Sequence, residues 1–272
     1  MMRPLNGMIA ALTLLPAVAL GSGHMYLPIR IAIATFFVAS YGYIINDLFD
    51  FRADKINKPE RPFPSRKLSA WEGVNAALLC LVLGAVALAG SDAAIWLFFA
   101  AFIAGLFLYS FRISSWLVVA NLWVATLCSS AFLLGGLITQ ASPARQGMLI
   151  AAGAMTLLYH FGREIIKDIE DVEGDRVAGR RTIPIAWGAG AARYCAVAGF
   201  GLLIVTSYVS YFACGLSTTY LLLISLAVNL PIVLIFAGFV FRGREAGIKR
   251  ASIALKLVMI PALVALTVAG IR

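Results

Sequence analysis

Residues 73–111 read GVNAALLCLVLGAVALAGSDAAIWLFFAAFIAGLFLYSF, and Asp92 is their one charged residue. On each side of Gly90-Ser91-Asp92 stands an apolar run of the length a helix needs to cross a bilayer, roughly 20 residues. A chain in lipid must satisfy its own backbone hydrogen bonds, which leaves helices and closed barrels as spanning structures. These runs are continuous rather than alternating in polarity, so they read as helices and exclude a barrel.

The same reading extends outward in both directions. It predicts nine spans, at 5–21, 27–48, 71–90, 93–111, 116–138, 146–167, 191–212, 218–241 and 251–270. The expected fold is all-α: a polytopic membrane protein with nine transmembrane helices around a central cavity, one domain over residues 1–272. The chain is 61% hydrophobic and 13% charged, with mean hydropathy +0.91; a soluble domain carries about 25% charged residues. Arg3 followed by an apolar stretch resembles a signal peptide, but Arg3 and Asn6 at its head suit a retained first span better. Cys80, Cys128, Cys195 and Cys214 stand singly within spans, without CxxC spacing, and are read as packing residues.

Charge supplies the orientation. Eighteen of the 22 Lys and Arg residues fall on the N-terminal side of the spans, against Arg30, Arg145 and Arg272 opposite and Lys256 within the last span. By the positive-inside rule the N-terminus is cytoplasmic. Every acidic residue except Asp92 lies on or near that same side. Acids and bases gathered together suit a site that binds a polyanion through metal ions and direct cationic contacts. The bilayer is one expected partner; no nucleic acid is expected.

Two acidic clusters carry this reading. The first is Asn46-Asp47-Leu48-Phe49-Asp50-Phe51-Arg52-Ala53-Asp54, ending the second span. On a helix Asn46, Asp50 and Asp54 fall at i, i+4 and i+8, and Asp47 lies close to that face. The second is Lys167-Asp168-Ile169-Glu170-Asp171-Val172-Glu173-Gly174-Asp175, ending the sixth span. Asp168, Asp171 and Asp175 repeat the spacing of Asp47, Asp50 and Asp54, and each cluster is followed by a basic segment. A single cluster reads most simply as a solvated helix end. Two matched clusters at one membrane face favour a paired site, because ionisable groups at membrane depth are functional by default. Oxygen ligands of this kind suit Mg²⁺.

These residues resemble the UbiA superfamily of intramembrane prenyltransferases. The first signature, N-D-x-x-D-x-x-x-D, stands as Asn46, Asp47, Asp50 and Asp54, and the second, D-x-x-x-D, as Asp171 and Asp175. The resemblance includes Lys58-Pro59-Glu60-Arg61-Pro62-Phe63-Pro64-Ser65, Tyr109-Ser110 with Arg112, and Arg3 with Asn6. Within the superfamily, residues 163–175 are most similar to the geranylgeranylglycerol-phosphate geranylgeranyltransferases of archaeal ether-lipid synthesis, also called digeranylgeranylglyceryl phosphate synthases. Where related chains often carry Gly after the loop serine, this one has Arg66.

The resemblance implies a prenyl diphosphate donor, Mg²⁺ as cofactor, and a lipid or aromatic acceptor. It implies metal ligation by Asn46, Asp47, Asp50, Asp54, Asp171 and Asp175. Asn46, Arg61, Lys67, Lys167, Arg3, Asn6, Ser110 and Arg112 would bind diphosphate. Asp168, Asp171 and Tyr109 would take the catalytic roles, Tyr109 through its ring face and Asp168 as proton acceptor. Geranylgeranyl transfer to geranylgeranylglyceryl phosphate leads. A quinone precursor or chlorophyllide-type acceptor is the alternative, and a cation-coupled transporter the rival from another class. Transporter sites usually lie in broken helices near the midplane, whereas these carboxylates run into basic loops at one face.

Overall fold

The computed structural model describes residues 4–24, 28–240 and 245–271. In chain order the helices are α1 (Pro4–Leu12), α2 (Leu14–Ser22), α3 (Ile29–Phe49), α4 (Phe51–Asn57), α5 (Ala70–Leu88), α6 (Ala93–Phe111) and α7 (Val119–Thr139). There follow α8 (Pro143–Glu170), α9 (Val172–Val177), α10 (Ile183–Cys214), α11 (Thr218–Leu223), α12 (Leu230–Ile235) and α13 (Glu245–Gly270). Helix α10 is interrupted at Gly188, and π-helical turns follow α11 and α12. All regular structure among the described residues is helical, as the sequence predicts.

Seven of these helical stretches are long and apolar enough to span a bilayer. Two of the nine expected spans are not among them. The first is shorter, Asn6–Ser22, with its helix broken at Thr13. The second is α8, whose 28 residues reach about 42 Å but carry His160, Arg163, Glu164 and Lys167. The two long connections expected at 49–70 and 168–190 hold the short helices α4 and α9.

The chain divides into two compact units. The first comprises the described residues of 1–14, 27–123 and 171–182. Here α3 packs along α5 and also meets α1 and α6. Tyr41, Ile44, Ala77 and Cys80 form a buried cluster with Phe37, Leu48, Ile103 and Leu106 around it. One face of α5, with Gly73, Ala77, Cys80, Gly84 and Leu88, is buried. The other, with Leu78, Leu79, Val82 and Val86, is exposed. An exposed face of that composition belongs against lipid, where small residues on the opposite face let helices approach. Helix α5 starts on a reciprocal cap between Ser69 and Glu72. The indole N–H of Trp123 donates to the Gly105 carbonyl at 3.0 Å.

The second unit comprises 15–26, 124–170 and 183–272, again in its described residues. Its centre is the pairing of α8 with α10, with α13 also on α8. Arg145 donates to the carbonyls of Ala19, Leu20 and Gly270. A cation is stabilising at such helix C-termini. The Asn229 amide donates to Ser207 Oγ at 3.1 Å, a cross-helix bond of the kind expected of a polar residue in a span. None of the four cysteines is in a disulfide.

Candidate functional site

Each acidic motif straddles a break between two helices. Asp50 separates α3 from α4 with φ −79 and ψ 3, and Asp171 separates α8 from α9 with φ −98 and ψ 8. Both occupy the sparsely allowed bridge region. The sequence predicted one continuous helical face through Asn46, Asp50 and Asp54. Instead the ladder is interrupted at the middle aspartate, at the corresponding position of both motifs.

The first unit contains the first motif together with Asp171 and Asp175 of the second, and within it α9 packs on α4. The motif carboxylates here are ion-paired. Arg61 donates to Asp47 at 3.2 Å and to Asp54 at 2.6 Å. Lys58 lies 2.7 Å from the Asp171 carboxylate. Arg180 joins the two motifs, donating to Asp175 at 3.1 Å and pairing with Asp50. Asp47, Asp54 and Asp175 are almost fully buried, at 2%, 4% and 3% exposure. These are therefore not solvated helix ends.

Local sequence explains how Arg180 reaches its partners. Helix α9 closes on Gly179 with φ 73. The Arg180 N–H donates to the Asp175 carbonyl at 2.9 Å and the Gly179 N–H to the Arg176 carbonyl at 3.1 Å. This is a Schellman C-cap, which needs a left-handed residue where glycine is least strained. The reversal turns Arg180 back onto the cluster and leaves Arg176 and Arg181 exposed.

Among the described residues, five carboxylates (Asp47, Asp50, Asp54, Asp171, Asp175) pair with Lys58, Arg61 and Arg180 here. Burial, with repulsion from Asp50 and Asp47, raises the Asp54 carboxyl above the ordinary carboxylate range although Arg61 pulls the other way. Burial works against the Arg61 and Arg180 guanidinium charges, but their carboxylate partners outweigh it and raise both. Tyr109 lies near enough to Arg180 to contribute to that shift.

The other expected residues fall as follows. Asn46 is half-buried, and its carbonyl accepts the Asp50 N–H at 2.8 Å. Lys67 and Arg112 are exposed, and Asn6 is half-buried on α1. Ser110 is buried and donates to the Leu106 carbonyl within its own helix. Lys167 and Asp168 stand on the last turn of α8, in the second unit. There Lys167 pairs with the buried Glu164 at 3.1 Å, as does Arg163 at 2.8 Å. Arg3 lies outside the described residues. Arg66 takes φ 57, the left-handed region that glycine fills without strain.

Sequence reasoning placed Lys58 in the basic loop but did not pair it with Asp171, and it did not single out Arg180. The Gly179-Arg180 pair was the available signal for Arg180. Among the described residues, no three of His, Cys, Asp or Glu converge as a ready metal site. The donor set nonetheless fits a hard divalent cation: it is all oxygen and mostly carboxylate.

The UbiA prenyltransferase family matches residues 8–260. A digeranylgeranylglyceryl phosphate synthase from Thermococcus sibiricus is 37% identical over 201 residues, 69% of this chain and 67% of that protein. The synthase of that name from Thermococcus kodakarensis is 31% identical over 286 residues, 99% of this chain and 96% of its own. Among solved structures, one described as giving insights into digeranylgeranylglyceryl phosphate synthase in membranes has TM-score 0.73 at 27% identity. It covers 99% of this chain and 96% of its own. A UbiA homolog from Archaeoglobus fulgidus, bound to DMAPP and Mg²⁺, has TM-score 0.71 at 17% identity, with 98% of each chain covered. At that identity the likeness concerns the fold. A helical multi-pass membrane chain, carrying both aspartate motifs and matched over nearly its whole length, belongs to the UbiA prenyltransferase family.

Proposed function

We propose that this chain transfers a geranylgeranyl group from geranylgeranyl diphosphate to the hydroxyl of geranylgeranylglyceryl phosphate, with Mg²⁺ required. The observation that carries the reading is the single buried cluster in which Arg180 ties Asp50 of the first motif to Asp175 of the second. Two carboxylate motifs folded together suit a metal–diphosphate complex. The names of the synthase relatives supply the donor and acceptor.

Asn46, Asp47, Asp50, Asp54, Asp171 and Asp175 would hold the metal. When bound, Mg²⁺ supplies Lewis-acid stabilisation of a diphosphate leaving group. The protein's share is to bind, orient and exclude water. Arg61, Lys67 and Lys167 are assigned to diphosphate oxygens, with Arg3, Asn6, Ser110 and Arg112 following by resemblance. Cleavage of the allylic carbon–oxygen bond sends its electron pair to diphosphate and leaves an allylic cation. Tyr109 would face that cation through its ring. The acceptor hydroxyl forms the new ether bond and gives its proton to Asp168 or to a released diphosphate oxygen.

Exposed cations within and after the first motif and after α6 favour an anionic acceptor. Arg52, Lys55, Arg66, Lys67 and Arg112 are all exposed, and none is among the three that pair with the carboxylates. They are available to a second phosphate, for which Arg offers forked contacts.

We further read residues 1–272 as one functional domain with nine spans, counting Asn6–Ser22 and α8. The N-terminus and the site face the cytoplasm, following the cation distribution. The test is competition among geranylgeranylglyceryl phosphate, 4-hydroxybenzoate, a naphthoate and a chlorophyllide for geranylgeranyl diphosphate, with products read by mass spectrometry. The ether lipid is expected to dominate. An aromatic or tetrapyrrole product in its place overturns the acceptor assignment.

A further inference from the structure

Asn57 ends α4, three residues after Asp54 and on the same side of that helix. A terminal asparagine commonly serves its own helix. This one does not. Its amide Nδ2 donates to the Asp171 backbone carbonyl at 2.8 Å, and its Oδ1 accepts the Gly174 N–H at 2.9 Å. One side chain thus satisfies a donor and an acceptor across the second motif, on the backbone rather than the carboxylates. Sequence separation across these bonds is 114 and 117 residues, so they are tertiary clasps.

Gly174 is shaped to the same contact. A Cβ there would stand 2.4 Å from Asn57 Nδ2 and 2.5 Å from the Ala53 carbonyl oxygen, closer than real atoms approach. Any larger residue would push α9 off α4 and open the clasp. The neighbouring Lys58 then meets the Asp171 carboxylate. Asn57 therefore fixes the backbone of the second motif, and Lys58 and Arg180 bind its side chains.

We propose that Asn57 is a positioning residue for the metal–diphosphate site: it touches neither metal nor substrate, and sets the spacing between the two aspartate motifs through the Asp171–Gly174 backbone. The proposal rests on the magnesium reading above. Its consequence is specific. Loosening the clasp lets the two carboxylate sets drift apart, so more Mg²⁺ is needed to draw them together, while the donors that contact substrate remain present.

The experiment uses the full chain in detergent, with Asn57→Ala and Asn57→Gln. Gln keeps both amide functions but carries them one methylene further. Thermal unfolding is followed across a Mg²⁺ titration at fixed inorganic pyrophosphate, and prenyl transfer is followed across the same titration. In Asn57→Ala the Mg²⁺ midpoint for thermal protection is expected to rise about tenfold, equivalent to ~1.4 kcal/mol, and the midpoint for transfer to rise in parallel. Asn57→Gln is expected to fall between that variant and the parent, and decides the matter alone if Asn57→Ala does not fold. Midpoints unmoved within about twofold, with any loss confined to the rate or to melting without Mg²⁺, overturn the positioning role. A parent protein indifferent to Mg²⁺ overturns the magnesium reading itself, and the proposal with it.

Discussion

Replacing Arg180 with Met removes the charge that joins the two motifs and keeps most of the apolar stem. Its side chain is 16% exposed, and those of its partners Asp50 and Asp175 are 13% and 5% exposed. Removing one partner of a buried ion pair costs about 3–5 kcal/mol, because the charge left behind is uncompensated. Asp50 keeps some contact with water, which places the expected loss near the lower end, ~3 kcal/mol. For a chain of this size each kcal/mol lowers the melting temperature by roughly 2–4 °C, so a fall of about 6–12 °C is expected. The assay is thermal unfolding of purified protein in detergent, without Mg²⁺ and then in excess Mg²⁺ with pyrophosphate. A divalent cation compensates the same carboxylates, so the gap between variant and parent should narrow when it is added. An unchanged melting temperature without Mg²⁺ would show that Arg180 does not hold the motifs together. A gap of equal size in both conditions would show that the paired carboxylates are not where the cation acts.

Asp50→Ala and Asp171→Ala are each expected to abolish transfer in a folded protein, and EDTA to abolish it in the parent; near-normal turnover in any of these would remove the metal assignment. Arg66→Gly should raise stability by about 1 kcal/mol by relieving a left-handed side-chain-bearing residue, read as a higher melting temperature; a fall would mean that the Arg66 side chain contributes more than its backbone costs. Cysteines placed at the exposed positions Glu60 and Arg181 should react with impermeant reagents only from the cytoplasmic side, and one at the exposed Ala144 only from the other. Labelling of position 60 from outside intact cells would reverse the orientation.

The helical membrane fold was legible because spans announce themselves by length and hydropathy. Where the structure differs, the first span is broken at Thr13 and short, and in α8 local polarity is the reason. Helix α8 carries its charged residues inside its length, and composition alone cannot tell a functional span from a partly submerged helix. The aspartates were legible because spacing is a property of the sequence. Their partners were not. Arg176, Arg180 and Arg181 look equivalent in a row, and the Gly179 reversal selects Arg180 among them. Asn57 was read past because its partners lie more than a hundred residues away. The break at Asp50 was hidden as well, since nothing in Leu48-Phe49-Asp50-Phe51 opposes a helix; the matched break at Asp171 became visible only with the backbone.

The claim that both motifs build one site is tested most directly by a double-mutant cycle on ligand binding. A non-hydrolysable geranylgeranyl thiodiphosphate would be titrated with Mg²⁺ into the parent, Asp50→Asn, Asp175→Asn and the double variant. Residues serving one network couple, whereas independent sites add. Each single variant is expected to weaken binding about a hundredfold, equivalent to ~2.7 kcal/mol, and the double variant to be little weaker than the worse single one. Losses that simply add, or a single variant that binds like the parent, would contradict a shared site.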